Sequence, residues 1–409
     1  MSALFRAARE GDVDEARRII LDKIQLLNEV TSVAQCLNES TKDGTTPLWI
    51  ASCFGRTHVV ELLLHHGADV DATKADGSTP LCIATRKGML NIVKLLLKHK
   101  ASTNSRGKNG DTPLHAASRY AHVAVAQELL LHGANINATR ESGATPLYIA
   151  TQEGNAAIAD LLLAHKADAD KSTDDGRTPL FSATYYGHAG IVQALLRHGS
   201  NVDTSSADYA TPLYIASYAG NEVIAGLLLV HKADPRKPFK AGCCPIFAAS
   251  GAGHAAVVQL LLCHGADIDV ANANGATPLY VACDSGKADV VALLLQHKAD
   301  VNKARKGGTT PLIVASYFGE IDIVQLLVQA GADLLLCDDR GTALDSAILR
   351  GHSDIAAILL EACRNHATVA LTHGRLDDAI VLLSQVVLYE QGTMQSAIDL
   401  AQACLALMK

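Results

Sequence analysis

Residues 143–169 read GATPLYIATQEGNAAIADLLLAHKADA, and this order of residue types prescribes a turn and two short helices. Gly143 suits a turn position with positive φ. Thr145 is a natural N-cap, and Pro146 takes the first helical position, where its missing N–H costs nothing. The helix LYIATQE follows, and Gly154 ends it as a left-handed C-cap. The second helix, AAIADLLLAH, carries apolar residues at i, i+3 and i+4. His165-Lys166-Ala167-Asp168 then leads out to the next turn. One such unit cannot bury its own apolar face, whereas stacked copies bury a continuous core.

The copies are present. Pro146 belongs to a series at 47, 80, 113, 146, 179, 212, 245, 278 and 311, with every interval 33 residues. Self-similarity at one fixed period marks a solenoid or array. A degenerate copy follows at Thr342-Ala343-Leu344, one residue early, and Ala3-Leu4-Phe5 opens a first copy without the leading turn. About 11 extra residues between Leu21 and Ser40 lengthen the first interval, and the copies number eleven. Small residues such as Ala51, Ala84, Ala117 and Ala150 let neighbouring first helices approach to about 8 Å.

Composition narrows the function classes. The 409 residues carry 35 basic and 42 acidic side chains, a net charge of −7. Apolar residues make up 49% but aromatics only 4%, too apolar a chain for disorder. Nucleic acid is a poor partner, since phosphate binding needs a concentrated positive face. No apolar run reaches the ~18 residues of a membrane span. The opening MSALFRAAREGDVDEARR is too charged for a secretory signal. Ten cysteines form no CxxC pair and read as small core filler in a reducing compartment. A cytoplasmic location, or a nuclear one, follows, and the chain is expected to be monomeric.

The stretch GTTPLWIASCFGRTHVVELLLHHGADVDA, residues 44–72, and its repetition resemble the ankyrin-repeat family over roughly residues 2 to 362. The resemblance implies an all-α solenoid of 33-residue repeats, each a turn or β-hairpin finger plus two antiparallel helices. Its concave face would be lined by the fingers and the first helices. Residues 1–40 would form an N-terminal capping repeat with an extended linker. Residues 41–362 would form an array of ten repeats, the last degenerate, and 363–409 a helical C-terminal cap. The tail reads as helices near Cys363–His373, Leu376–Tyr389 and Met394–Leu407. It also resembles a tetratricopeptide helix pair, through Ala367, Gly374 and Ala379.

The chain departs from the family pattern at named places. Only His115 keeps the histidine after Thr-Pro-Leu. Tyr209 replaces a turn glycine, and Cys243-Cys244-Pro245-Ile246 replaces Gly-x-Thr-Pro-Leu, so irregular fingers are expected over 205–246. The residue closing each second helix alternates: Gly67, Lys100, Gly133, Lys166, Gly199, Lys232, Gly265, Lys298, Gly331. The unit of duplication therefore reads as a pair. Lysine in a left-handed cap costs roughly 1 kcal/mol, which predicts altered turns at every second repeat.

No residue set announces catalysis. A histidine column at 66, 99, 132, 165, 198, 231, 264 and 297 suggests metal, but distance forbids it. Stacked helices lie about 8–10 Å apart, while zinc holds nitrogens at about 2.0–2.1 Å. These histidines are expected instead to meet free carbonyls at helix C-termini. Gly251-Ala252-Gly253-His254-Ala255-Ala256 imitates a dinucleotide fingerprint but spans a helix–helix turn instead of following a strand. No cofactor, metal or catalytic residue is expected.

The aromatic residues are better placed for binding. One group follows Thr-Pro-Leu: Phe5, Trp49, Tyr148, Phe181, Tyr214, Phe247 and Tyr280. It is expected to pack along neighbouring first helices. A second group precedes the helix-ending glycine: Phe54, Tyr120, Tyr185, Tyr186, Tyr218, Tyr317 and Phe318. By the resemblance it faces the groove, where exposed tyrosines anchor interfaces. It is densest at Tyr185, Tyr186 and Tyr218. Arg236, Lys237 and Lys240, and then Arg305 and Lys306, make two fingers basic. An acidic partner segment could dock on them, or they form a solvated face. Asn104, Asn137 and Asn302 at the finger bases resemble substrates of an asparaginyl hydroxylase.

The resemblance and these residues imply a non-enzymatic protein–protein interaction module, an adaptor or scaffold that holds a protein partner on its concave face and finger tips. The rival is a regulatory or substrate-recruiting subunit of a larger enzyme assembly, such as a ubiquitin ligase, docking through the C-terminal helices.

Overall fold

Threonine and proline start the helices as their chemistry dictates. Thr46, Thr79, Thr145, Thr178, Thr211, Thr277 and Thr310 are extended, and each side chain accepts from the backbone N–H three residues on, at 3.1–3.3 Å. Proline stands at the first turn in each case. The first helices run seven or eight residues, as in Pro146–Glu153, and the second helices nine, as in Ala156–Ala164. Helices so short are marginal alone in water, so packing must hold them.

That packing is repeated from copy to copy. The computed structural model describes residues 3–27, 30–208, 210–373 and 375–389. The chain divides into two compact units, residues 1–207 and 208–409. Within each, every first helix packs on the next first helix and on its own second helix. Leu81, Leu114, Leu147 and Leu180 are wholly buried in the first unit, and Leu213, Leu279 and Ile313 in the second. Each such side chain contributes roughly 1.5–3 kcal/mol of burial. Ala51, Ala84, Ala117 and Ala150 have no exposed surface, as close approach requires.

Polar ladders lace the fingers. At the finger bases Asn38, Asp71, Asn104, Asn137 and Asp170 each accept, through a side-chain oxygen, from the backbone N–H 31 residues on, at 2.8–2.9 Å. Asp269 and Asn302 do so in the second unit. The tips are tied by backbone bonds such as Asp174 N–H to Ser142 carbonyl and Lys306 N–H to Asn274 carbonyl. Most fingers are hydrogen-bonded turns. Among the described residues the one strand pair is Cys337–Asp338 antiparallel to Gly341–Thr342.

Several expectations change. Among the described residues near the N-terminus the extra length is helical: Val13–Leu27 runs long and Val30–Leu37 is a further helix, where an extended linker was expected. The helix expected from Cys363 begins at Ser353 and runs unbroken to Thr372, because nothing between 353 and 372 stops it. Leu376–Tyr389 falls where it was read, while Met394–Leu407, Gly374 and Tyr209 lie outside the described residues. The finger before Pro245 keeps its turn, with Gly242 N–H bonded to the Phe239 carbonyl and Ala273 N–H to the Ala241 carbonyl. Only the cap is lost, since Cys244 offers no side-chain hydrogen bond to its helix. The alternating turns are not rebuilt either. Lys100, Lys166, Lys232 and Lys298 adopt φ of 64–66°, and the matching glycines 81–86°. The hydrogen bonds are the same in both kinds: Gly67 to Leu64 and Ala68 to Leu63, then Lys100 to Leu97 and Ala101 to Leu96.

Candidate functional site

Helix geometry sorts the two aromatic groups. The position after Thr-Pro-Leu points into the stack. Phe5, Phe181, Phe247 and Tyr280 are buried there, and Trp49, Tyr148 and Tyr214 half-buried. His115 occupies the same position, fully buried, with Nδ1 against Thr112 and Nε2 3.0 Å from the Ala144 carbonyl of the next repeat. Burial pushes its imidazole down to about 4. Trp49 replaces that histidine with an indole N–H 3.4 Å from the Ser78 hydroxyl, and the Lys74 ammonium lies 4.4 Å from its ring.

The position before the helix-ending glycine points outward. In the first unit Phe54, Tyr120, Tyr185 and Tyr186 are exposed, Tyr185 by 61%. Tyr185 and Tyr186 meet edge-on with centroids 5.2 Å apart, and Tyr186 and Tyr120 stack on His188 and His122. Arg9 lies over the Phe54 ring. In the second unit Tyr218 is exposed by 65% and Phe318 by 50%. Tyr317 differs, being half-buried between the guanidinium groups of Arg340 and Arg350, at 4.8 and 4.7 Å. It is held by its own chain.

The basic fingers are partly compensated. Arg236 bonds Asp234 at 3.2 Å, and Lys240 pairs with Asp208 at 2.6 Å while lying over the Phe239 ring. Lys237 donates its backbone N–H to the Asp234 carbonyl. Arg305 stacks over Tyr280, and Lys306 is exposed beside it. Asn104, Asn137 and Asn302 spend their side-chain oxygens on the finger-base ladder.

The histidine column behaves as helix ends do: His132 and His264 place Nδ1 2.9 Å from the carbonyl four residues back. A second histidine series ties successive repeats together. His122 and His254 place Nε2 3.2 and 3.1 Å from the carbonyls of Arg86 and Tyr218 in the preceding repeat. His352 does the same to Tyr317, and Asn155 to Ser118 and Arg119. The sequence signal was available, since 122, 188 and 254 are 66 residues apart.

A groove also went unread. It is an open groove of about 460 Å³ in the second unit, with Tyr214 and Tyr218 on one side and Val281 and Ser285 on the other. Its floor is Phe247, Ala248, Gly251 and Ala252, with Cys243 and Asn272 at the finger end. It exists because the middle first helix, PIFAASGA, carries Gly251 where its neighbours carry Tyr218 and Asp284. The false dinucleotide fingerprint is thus the floor of a slot. Among the described residues no group of three or more His, Cys, Asp and Glu is placed to hold a metal ion, and no helix is long and apolar enough to cross a membrane.

Comparison with known proteins gives the family. The family model "Ankyrin repeat" matches residues 43–75. "Ankyrin repeats (3 copies)" matches 70–140, 130–206, 191–272, 213–305, 246–338 and 302–373. The potassium channels AKT1 of Oryza sativa subsp. indica and subsp. japonica are 45% identical to this chain over 47 residues. That match covers 12% of this chain and 5% of theirs, so the chain spans about a twentieth of the curated relatives it matches. The ankyrin repeat domain of human ASB11 is 28% identical, with a TM-score of 0.49, covering 53% of this chain and 98% of that one.

Proposed function

Because the chain belongs to the ankyrin-repeat family, a family of protein–protein interaction modules, we propose that it is a non-catalytic adaptor or scaffold. It holds a protein partner against the face formed by its first helices and finger tips. One observation carries the reading: aromatic rings at the inner position are buried or half-buried, whereas Phe54, Tyr120, Tyr185 and Tyr186 in the first unit, and Tyr218 and Phe318 in the second, stand in solvent. Exposed aromatic anchors on a rigid support bind with little loss of side-chain freedom. We assign Tyr317 a structural part, since two arginines enclose it.

The tail reads as a cap. Leu376–Tyr389 turns Ala379, Leu383 and Val386 inward, and the Tyr389 hydroxyl donates to the Asp345 carboxylate at the start of the last first helix. This supports a closing element over a docking arm.

The test is paired affinity capture from lysate with mass spectrometry. The baits are the wild type, Tyr185→Ala/Tyr186→Ala and Tyr218→Ala, each checked for an unchanged helical circular dichroism signal. A protein retained by wild type and lost by either variant is the expected result. Equal capture by all three would remove the aromatic face from the reading.

A further inference from the structure

We infer that this chain pairs with a second copy of itself through the outer face of the helix Glu222–Val230, in place of the monomer expected from sequence. That helix, EVIAGLLLV, has one charged side chain, Glu222 in its first turn. A helix apolar on every side belongs inside a protein, yet this one lies at the surface. Ile224, Ala225, Leu228 and Leu229 are buried, while Val223 is exposed by 64% and Val230 by 71%. Later second helices of the same unit are built otherwise. Ala288–Gln296 and Ile321–Gln329 carry Asp289 and Asp322 at the position of Val223, and Gln296 and Gln329 at that of Val230. Between the two valines stands Gly226, inside the helix, where glycine is a poor helix former. A Cβ there would meet nothing within 4 Å, so no described residue of its own chain asks for the glycine. What it permits is the approach of a helix from outside, to about 8 Å between axes.

The face fits itself. Gly226 is the middle residue of Glu222–Val230. A two-fold axis through it lays the two helices antiparallel, so a residue before 226 in one copy meets a residue as far after it in the other. Val223 and Val230 lie about 4.5 and 6 Å to either side of Gly226 along the helix, so each Val223 comes down beside the Val230 of the second copy. The ends match in charge as well. Glu222 opens the helix, and His231 and Lys232 follow its end, all three exposed. Antiparallel pairing sets each Glu222 against His231 and Lys232 of the second copy, and it opposes the two helix dipoles. Parallel packing would set glutamate against glutamate. The next second helix, Ala255–Cys263, has no charged side chain and presents Ala256 and Cys263 at the two valine positions, so it neither blocks nor repels the second copy. The first charges beyond it, Lys287 and Asp289, are of opposite sign. The exposed aromatic rings stand on first helices, so pairing leaves them accessible and doubles the candidate binding face.

The experiment is sedimentation velocity of the full chain under reducing conditions, over roughly 1–300 μM. One short helix on each side makes a contact at the small end of specific interfaces, about 1,200 Å² or less, so association is weak, with a midpoint of about 10–100 μM. The wild-type mass should rise from one chain to two and no further. Gly226→Gln favours the helix while its side chain blocks close approach. It should match wild type by circular dichroism and stay at the mass of one chain throughout. Val223→Asp/Val230→Gln, which takes the residue types of the later helices, should do the same. Glu222→Lys should weaken pairing about fivefold, since the two-fold axis repeats the change, and adding Lys232→Glu should restore the wild-type midpoint. A wild type that keeps the mass of one chain up to about 300 μM overturns the inference and leaves the face to a different protein. A Gly226→Gln variant that pairs as wild type does overturns it too. A mass that climbs beyond two chains, or a double variant that does not recover, overturns the antiparallel two-fold arrangement.

Discussion

The alternation of glycine and lysine at the close of the second helices predicts a stability difference that can be worked from backbone geometry alone. Lys100, Lys166, Lys232 and Lys298 hold φ at 64–66°, where an L side chain crowds the carbonyl that follows. That conformation costs about 1–2 kcal/mol, and glycine, which escapes it, loses about 0.4–1 kcal/mol through its freer unfolded chain. Lys166→Gly should therefore stabilise the first unit by about 0.5–1 kcal/mol. The lysine side chain is exposed, so little is forfeited. The reverse change is as clean, because a Cβ on Gly133 would meet nothing within 4 Å and Gly133→Lys costs only the backbone term. The assay is urea denaturation followed at the helical circular dichroism band. With a slope near 2.5 kcal/mol/M, Lys166→Gly should raise the midpoint by about 0.2–0.4 M and Gly133→Lys should lower it as much. Lys166→Ala keeps the strain while removing the ammonium, so it should match wild type. A Lys166→Gly midpoint at or below wild type would refute the reasoning, because the lysine would then be gaining something its exposed position does not show.

Two further predictions follow from single contacts. His115 stays neutral in the fold down to about 4 from an ordinary 6.5, since burial disfavours its charge. The unfolded chain takes up a proton first as pH falls, so this stability is whole above pH 6.5 and lost progressively down to about pH 4. The full loss is about 3 kcal/mol. Urea midpoints against pH should fall more steeply for wild type than for His115→Phe, and parallel curves would sink the assignment. In the tail, burial pulls the Asp345 carboxyl upward, but bonds from Tyr389 and from Thr342 outweigh it and hold the carboxyl below its usual value. Tyr389→Phe should cost about 1 kcal/mol and speed proteolysis within Leu376–Tyr389; cleavage at the wild-type rate would show that the tail is not pinned there.

The repeat period, the helix starts and the burial of the inner aromatics were legible because each rests on residues close in sequence. Thr145 caps whatever the rest of the chain does, and Pro146 fixes φ by its own ring. The long helix Ser353–Thr372 was misplaced for the complementary reason. No glycine or proline stands between its halves, and the repeat boundary at 362 was carried over from the period instead of being read from the residues. The N-terminal insertion failed in the same way: length beyond the period was read as linker, although Val13–Leu27 has helix-forming residues throughout. The slot was illegible because it is made by what Gly251 lacks, and an absence has meaning only once Tyr218 and Val281 stand on either side.

Contacts between successive turns tie each repeat to the one before it. Four second helices begin with a residue that reaches back to carbonyls left open at the end of the preceding first helix: His122, Asn155, His254 and His352. In alternate repeats the residue at that position is His122, His188 or His254; between them it is Met89, Asn155 or Asn221. A histidine ring sits directly on the left-handed glycine it covers: a Cβ on Gly88, Gly154 or Gly220 would lie 2.5–2.7 Å from His122, His188 or His254. At those three positions any side chain would force the histidine ring to move and would strain a backbone held at positive φ. Asn155 reaches the same kind of carbonyl with a smaller group, donating to Ser118 and Arg119. The residue beneath it is Ala121, which holds φ at 57° with a Cβ in place. Glycine also lies beneath Met89, Lys287 and Glu320, so Ala121 under Asn155 marks a local exchange at one junction.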